Sequence, residues 1–364
     1  GWDEVVAITN AVQVNEHGDT MFNLIRSNRD ADYPWLGVLI GSSVIGFWYW
    51  CTDQYIVQRV LSGKNEGEAR RGTIFGAYLK LTPVFLFMIP GMIAFAMAQK
   101  GVVINGETFA LSSSDAAFPT LVARLLPAGV KGLVVCGILA ALMSSLASLF
   151  NSSSMLFTID FYKKYRPRAS EEKLVRVGRM ATVVVVILGI LWIPIMRSIG
   201  NVLYNYLQDV QSVLAPGIAA AFLLGIVSAR PTPKGGMWGM IAGFIIGITR
   251  LGAKVLYSTM AGNAGYTDVK LWAAEHGVSN LFYTLFYEVN WLFFSGGMLV
   301  FCMLVIMVVS RFTKSAPEVQ IEGLTFGSST ATQRAASRAS WNRWDVIHSV
   351  IILGLTAAFY IYFW

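Results

Sequence analysis

"GLVVCGILAALMSSLASLFNSSSMLFT", residues 132–158, is long enough to cross a bilayer, yet its second half carries six serines and an asparagine. About 20 helical residues rising 1.5 Å each cover the roughly 30 Å of hydrocarbon. The length therefore reads as a membrane helix, and the hydroxyls need a reason of their own. Three- and four-residue spacing places Ala141, Ser144, Ser145 and Ser148 on one broad face, which Asn151 and Ser152 extend. That face is polar but uncharged. Close packing is one reading, since small residues let backbones approach and serine bonds its own helix. An alkali-ion site is the other, because a hard cation takes oxygen ligands and a monovalent ion that must leave again is better held by hydroxyls and carbonyls than by carboxylates.

The rest of the chain places this stretch among seven others. Of 364 residues, 55% are hydrophobic and 13% charged, with a mean hydropathy of +0.56, against roughly 25% charged in a soluble domain. An all-α integral membrane protein is expected, with spans at about 36–57, 72–97, 132–158, 180–199, 202–228, 235–251, 282–310 and 346–364. Lys and Arg collect at 59–71, 163–179, 230–234 and 311–343, and cytoplasmic connections carry that excess. The connections near 98–131 and 252–281 then face outward, as do the first 33 residues and the carboxyl end. The net charge of +7 follows from this bias and asks for no nucleic acid.

Cys51, Cys136 and Cys302 lie inside expected spans with no metal-site spacing and read as small packing residues. His17, His276 and His348 fall in loops or at a boundary, which argues against a metalloenzyme or a mid-membrane proton relay. The chain opens on Gly1 without a signal peptide and spends over thirty polar residues before its first span. An external start needs an earlier crossing, so the chain reads as the carboxyl-terminal piece of a longer protein.

Several features admit two readings. Pro83, Pro90 and Gly91 interrupt the second span, more as a kink than as a site. Gly37 with Gly41, Gly72 with Gly76, and Gly239, Gly243 and Gly247 form small-residue rows that pack helices. Lys80 lies about two turns inside the second span, where a cation is a functional candidate unless it snorkels to the headgroups. In "FWYWCTDQY", residues 47–55, Tyr49 and Trp50 lie deep for an interfacial belt, and rings beside a cavity stack on flat apolar faces such as those of sugars. Asn205, Gln208, Asp209 and Gln211 precede Pro216 and Gly217 in the fifth span and require a wet or protein-lined face.

These residues also carry a family resemblance. "WYWCTDQYIVQR" at 48–59, "GAYLK" at 76–80, "PGMIA" at 90–94, "LMSSLASLFNSSSMLFTIDFY" at 142–162 and "APGIAAAFLLG" at 215–225 resemble the sodium/solute symporter family. They are most similar to its sodium/glucose cotransporter branch, including the bacterial sodium/galactose symporter. The match is collinear from about residue 34 to 251 and weaker beyond, where the closing "YIYFW" is also similar.

The resemblance implies a LeuT-type fold of two inverted five-helix repeats, of which this chain holds core helices six to ten plus three more. Residues 1–33 are then an outer loop, 34–251 the second repeat and the helix after it, and 252–364 an outer loop and terminal helices with a cytoplasmic loop at about 311–344. It implies a sodium site at the Ala141 carbonyl and the Ser144 and Ser145 hydroxyls, and sugar contacts at Lys80 and Gln208. Tyr49 becomes an inner gate with Trp50 beside it, and Tyr204 an outer gate. Relatives with two sodium ions carry threonine where this chain has Ala147, which favours one sodium per cycle. Gly46 departs from the asparagine of the bacterial galactose symporter and weakens galactose as the specific solute. The implied function is sodium-coupled sugar symport across the plasma or inner membrane, not catalysis. An inositol, a sialic acid, an organic acid or an amino acid is the alternative solute, and a membrane-embedded enzyme or sensor component the alternative class.

Overall fold

A computed structural model of the chain describes residues 1–199 and 203–363; the expected span edges at Val202 and Trp364 lie outside the described residues. Among the described residues the main helices are α1 Trp2–Ala11, α2 Trp35–Cys51, α3 Gln54–Leu61, α4 Glu66–Gln99, α5 Ala117–Leu125, α6 Ala128–Lys163, α7 Glu171–Ile199, α8 Leu203–Val227, α9 Pro233–Asn263, α10 Val269–Glu275, α11 Trp291–Arg311, α12 Ala331–Ala339 and α13 Arg343–Tyr362, with short helical segments at 280–288 and Glu318–Ile321. Seven of them, α4, α6, α7, α8, α9, α11 and α13, are long and apolar enough to cross a membrane, and the bent pair α2 and α3 makes an eighth crossing if it is one span. A hairpin pairs β1, Val103–Ile104, with β2, Glu107–Thr108. Its Asn105-Gly106 turn has positive φ at both positions, the geometry that favours this dipeptide.

Helix starts follow local chemistry. Thr232 caps α9 by accepting from the Gly235 amide, with Pro233 in the first turn. Asn342 and Asp345 form a reciprocal capping box on α13.

The chain forms two compact units, residues 1–110 with 202–364, and residues 111–201. In the first, α8, α9 and α11 pack on one another, and α2 packs on α8 and α11. Glycine sets the spacing of α9. A methyl group at Gly243 would lie 2.8 Å from Cys302 Sγ, one at Gly247 2.5 Å from the Val213 carbonyl oxygen, and one at Gly239 would collide with Ile306. Gly41 likewise meets the Leu292 backbone. Two of the expected glycine rows therefore pack helices, but Gly72 and Gly76 meet nothing within 4 Å. Likewise only Cys302 packs in a core, Cys51 and Cys136 being exposed.

A second group in this unit joins α13 to α4. Asp345 pairs with Arg71 at 3.6 Å, His348 Nδ1 contacts the Tyr78 hydroxyl at 3.0 Å, and Phe359 meets Phe85 edge-on. After Pro83, α4 widens to a π-helical turn at Val84–Met88 and continues, so the prolines reshape the helix without dividing the span. Residues 1–33 include a helix as well as loop: α1 lies on the far end of α4, Glu4 pairs with Lys100, and Trp2 Nε1 donates to the Tyr362 hydroxyl at 2.6 Å.

The second unit is α5 with the antiparallel pair α6 and α7. Ser154 donates to the Gly178 carbonyl at 2.9 Å where those helices touch. A groove of about 860 Å³ opens between them, with Lys173 and Arg176 at one end and Met180, Val184 and Leu188 along its wall.

Three expected boundaries change. The seventh span, expected at 282–310, is divided: a short helical segment at 280–288 ends where Val289 and Asn290 leave helical geometry, and α11 starts at Trp291, capped by Asn290 accepting from Leu292 N. The first span is not continuous: α2 ends at Cys51, and α3 restarts at Gln54 at a bend of 50°. Thr52 directs its hydroxyl and amide to the Trp48 carbonyl, while Asp53 turns extended and caps α3 by accepting from Tyr55 N. The sixth span does not end at Leu251 but runs helically to Asn263, since no proline stands between and the helix carries through Gly252.

Candidate functional site

The break in α2 defines one half of the candidate substrate site. Tyr49 and Trp50 occupy its last turn and meet edge to face, with ring centroids 5.2 Å apart. From α4, the Lys80 ammonium lies 5.8 Å from the Tyr49 centroid and 5.6 Å from that of Trp50. A cation over exposed aromatic faces contributes ~0.5–1 kcal/mol, so the rings give Lys80 a partner within the fold. Gly46, one turn earlier, meets nothing within 4 Å, and its surface is open on that side.

Gln208 and Tyr204, the expected remainder of that site, make a separate pair on α8, where the Gln208 amide donates to the Tyr204 hydroxyl at 2.9 Å. The fifth span is not interrupted here: α8 is helical from Leu203 to Val227, with Pro216 inside it. Its polar residues divide by face. Asn205 accepts from the Tyr33 hydroxyl and donates to Asp32 at 3.4 Å, tying α8 to the loop before α2. Burial pushes the Tyr33 phenol up to about 12, with Tyr204 and Asp32 adding to the shift, so Tyr33 remains a donor at neutral pH.

Asp209, one turn after Asn205 on the same side of α8, meets residues that sequence reasoning missed. Its carboxylate lies 2.5 Å from Lys254 Nζ and 3.5 Å from the guanidinium of Arg250. Arg250 is fully buried, donates to the carbonyls of Leu285 at 3.2 Å and Val289 at 2.6 Å, and rests 4.1 Å above the Phe294 ring. The signal lay in "TRLGAK", residues 249–254, where two cations stand four apart on an unbroken helix. Ending the span at Leu251 placed Lys254 in a loop and concealed the pair.

The serine face belongs to the second unit. Ala141, Ser144 and Ser145 stand exposed on α6. Ser148 donates to the Ser144 carbonyl at 3.1 Å, and Ser152, which is buried, to the Ser148 carbonyl at 2.8 Å. Ser152 is thus bonded within α6 and Ser154 packs against α7, while Ala141, Ser144 and Ser145 lie on one exposed side of an intact helix.

The collinear motifs rest on a match that decides the family: its model, described as the sodium:solute symporter family, matches residues 3–243. The chain belongs to the sodium:solute symporter family. It is similar to the sodium/mannose cotransporter of Bos taurus, 37% identical over 359 residues that cover 94% of this chain and 58% of that protein. Sodium/glucose cotransporter 1 of Ovis aries is 38% identical over 308 residues, covering 82% and 44%. Sodium/myo-inositol cotransporter 2 of Homo sapiens is 42% identical over 244 residues, covering 65% and 36%. The chain spans about half the length of the curated relatives it matches. Within this symporter family, broken helices and helices lined by small polar residues are expected where ions and solutes bind.

Proposed function

We propose that the protein is a sodium-coupled sugar symporter working by alternating access. The observation that carries this reading is Lys80 over the paired rings of Tyr49 and Trp50, which brings a sugar-contacting position and a gate position of the family together. Lys80 and the Gln208 amide hydrogen-bond sugar hydroxyls, the rings cover the apolar face of the sugar, and Tyr204 closes the site from outside. Each such hydrogen bond contributes on the order of 0.5–1.5 kcal/mol net. The bond from Gln208 to Tyr204 uses one amide N–H and leaves the second N–H and the amide oxygen for a sugar hydroxyl, so outer gate and sugar meet at one side chain.

Sodium binds at the Ala141 carbonyl and the Ser144 and Ser145 hydroxyls of α6. In the LeuT-type arrangement of inverted repeats, the remainder of the ion's shell comes from the first repeat. Ala147 offers no hydroxyl for a second ion, which supports one sodium per cycle. External sodium favours the outward-open arrangement, sugar follows, the repeats rock, and Tyr49 moves aside for release. Such coupling requires each ligand to bind the two arrangements with different affinity. The membrane potential supplies about 2.3 kcal/mol per charge per 100 mV, or roughly fifty-fold accumulation. The protein works in the plasma or inner membrane, with both ends of this chain outside.

Family membership favours transport over the enzyme or sensor reading. Among solutes, inositol is the second candidate, because the human myo-inositol cotransporter is 42% identical over 244 residues. Sodium-dependent uptake of labelled hexoses into proteoliposomes, by protein expressed from the complete reading frame, tests the proposal. Hexose uptake competed by glucose or galactose is expected; uptake competed by inositol alone moves the solute, and uptake unchanged without sodium refutes the coupling.

A further inference from the structure

The cluster of Asp209, Arg250 and Lys254 plays no part in the function above, yet it sets two cations against one acid inside membrane-spanning helices. Such charges are costly to bury and persist where they fix one register or serve a mechanism. Arg250 is held by α11 and the segment before it: its guanidinium spans the carbonyls of Leu285 and Val289 over the Phe294 ring. Those carbonyls lie at the end of the short helical segment 280–288, where no further turn supplies amide donors. Arg250 is thereby anchored, and Lys254, one turn along α9, is the partner that reaches the carboxylate at hydrogen-bonding distance.

What this holds follows from helix geometry. The glycine contacts between α9 and α8 reach outward only as far as Gly247 against Val213. The first two turns of α8, residues 203–209, lie beyond them and contain Tyr204 and Gln208. Successive helical residues are about 100° apart, so Asp209 cannot turn about the α8 axis without carrying Gln208 with it. Asn205, one turn before Asp209, is fastened to Tyr33 and Asp32 at the same end.

We propose that Asp209 and Lys254 are positioning residues whose ion pair fixes the rotation of the outer end of α8, and so sets sugar affinity through Gln208 and Tyr204 without touching sugar. This rests on the reading of Gln208 as a sugar contact, and the test therefore has one arm that needs no sugar.

In the first arm, Lys254→Met, Lys254→Arg and Asp209→Asn are compared by sodium-driven uptake normalised to folded protein. Lys254→Met and Asp209→Asn should raise the half-saturating sugar concentration about five- to tenfold, leave that for sodium within twofold, and leave Lys254→Arg near the starting protein. A Lys254→Met protein with unchanged sugar affinity overturns the proposal, as does an equal shift for sugar and sodium, which marks a plain structural brace. In the second arm, Tyr204→Cys is labelled with a water-soluble maleimide in a background with Cys51→Ser and Cys136→Ser. Adding Lys254→Met should change the labelling rate at least threefold, and adding Lys254→Arg should not. An unchanged rate overturns the clamp even if the symporter reading stands. Should Lys254→Met not fold, Lys254→Gln and Asp209→Asn carry both arms with the same expected outcomes. Absence of any sodium-driven sugar uptake by the starting protein defeats the functional reading instead, while the labelling still decides the clamp.

Discussion

The three-helix core of α8, α9 and α11 and the paired helices α6 and α7 are all apolar enough to cross a membrane and differ in what they bury. Within the most hydrophobic window of each helix, 39% of α8 and 33% of α11 is buried by the chain, against none of α6 and 6% of α7. The core is keyed by glycines under a neighbouring backbone and by a buried ion cluster. The pair α6 and α7 touches at Ser154 and Gly178 and leaves its serine face open. Small residues thus have two uses in one membrane protein. Where a Cβ would collide they are packing residues, and the exposed serines of α6 are where sodium is proposed to bind.

Substitutions sharpen that contrast. Gly247→Leu should have the largest effect, because its first added carbon already lies 2.5 Å from the Val213 oxygen. Overpacking costs about 1–3 kcal/mol and occasionally more, and detergent thermal melts should show loss of most folded protein. A normal melt would mean that α8 and α9 slide apart easily. Gln208→Ala should raise the half-saturating sugar concentration about tenfold, near the ~1.4 kcal/mol of one hydrogen bond, with sodium dependence kept; equal loss for both ligands would return Gln208 to packing. Ser145→Ala should raise the sodium requirement several-fold in uptake assays while the melt stays unchanged, and an unaltered sodium curve would remove the ion site from α6.

Gly72→Ala tests the other side of the contrast. With nothing within 4 Å of the added methyl, the melt should move by no more than about 0.5 kcal/mol. The smallest effect is expected at the surface pair of Glu4 and Lys100. The Lys100 hydrogen bond and charge hold the Glu4 carboxyl below its ordinary value of 4.5. A depressed carboxylate contributes stability that is present above that ordinary value and is lost as pH falls through the lowered one. The melting difference between the starting protein and Lys100→Gln should therefore be small at neutral pH and vanish in acid; a difference that grows in acid would exclude the pair as its source.

Much of the fold was legible because membrane crossing is a local property. Each span announces itself by length and hydropathy, and the glycine rows at 37–41 and 239–247 by spacing. The break after Cys51 was not read, because Thr52 and Asp53 look like an interfacial end until a cap on a second helix is seen. The partner of Lys80 was half legible: its depth and the rings at 49 and 50 were visible, but their meeting depends on how α2 and α4 lie together. Gly72 and Gly76 have the spacing of a packing row and no neighbour, since spacing states which residues share a face and not what lies opposite.

The sequence by itself determined the membrane class, the family and the small polar face of α6, because hydropathy, helical period and motif order are written along one chain. Only the tertiary structure decided that Asp209 meets Lys254 and Arg250 across 41 to 45 residues of sequence, and which glycines lie under a backbone. A buried charge is defined by its partner, and the partner is fixed by how two helices pack.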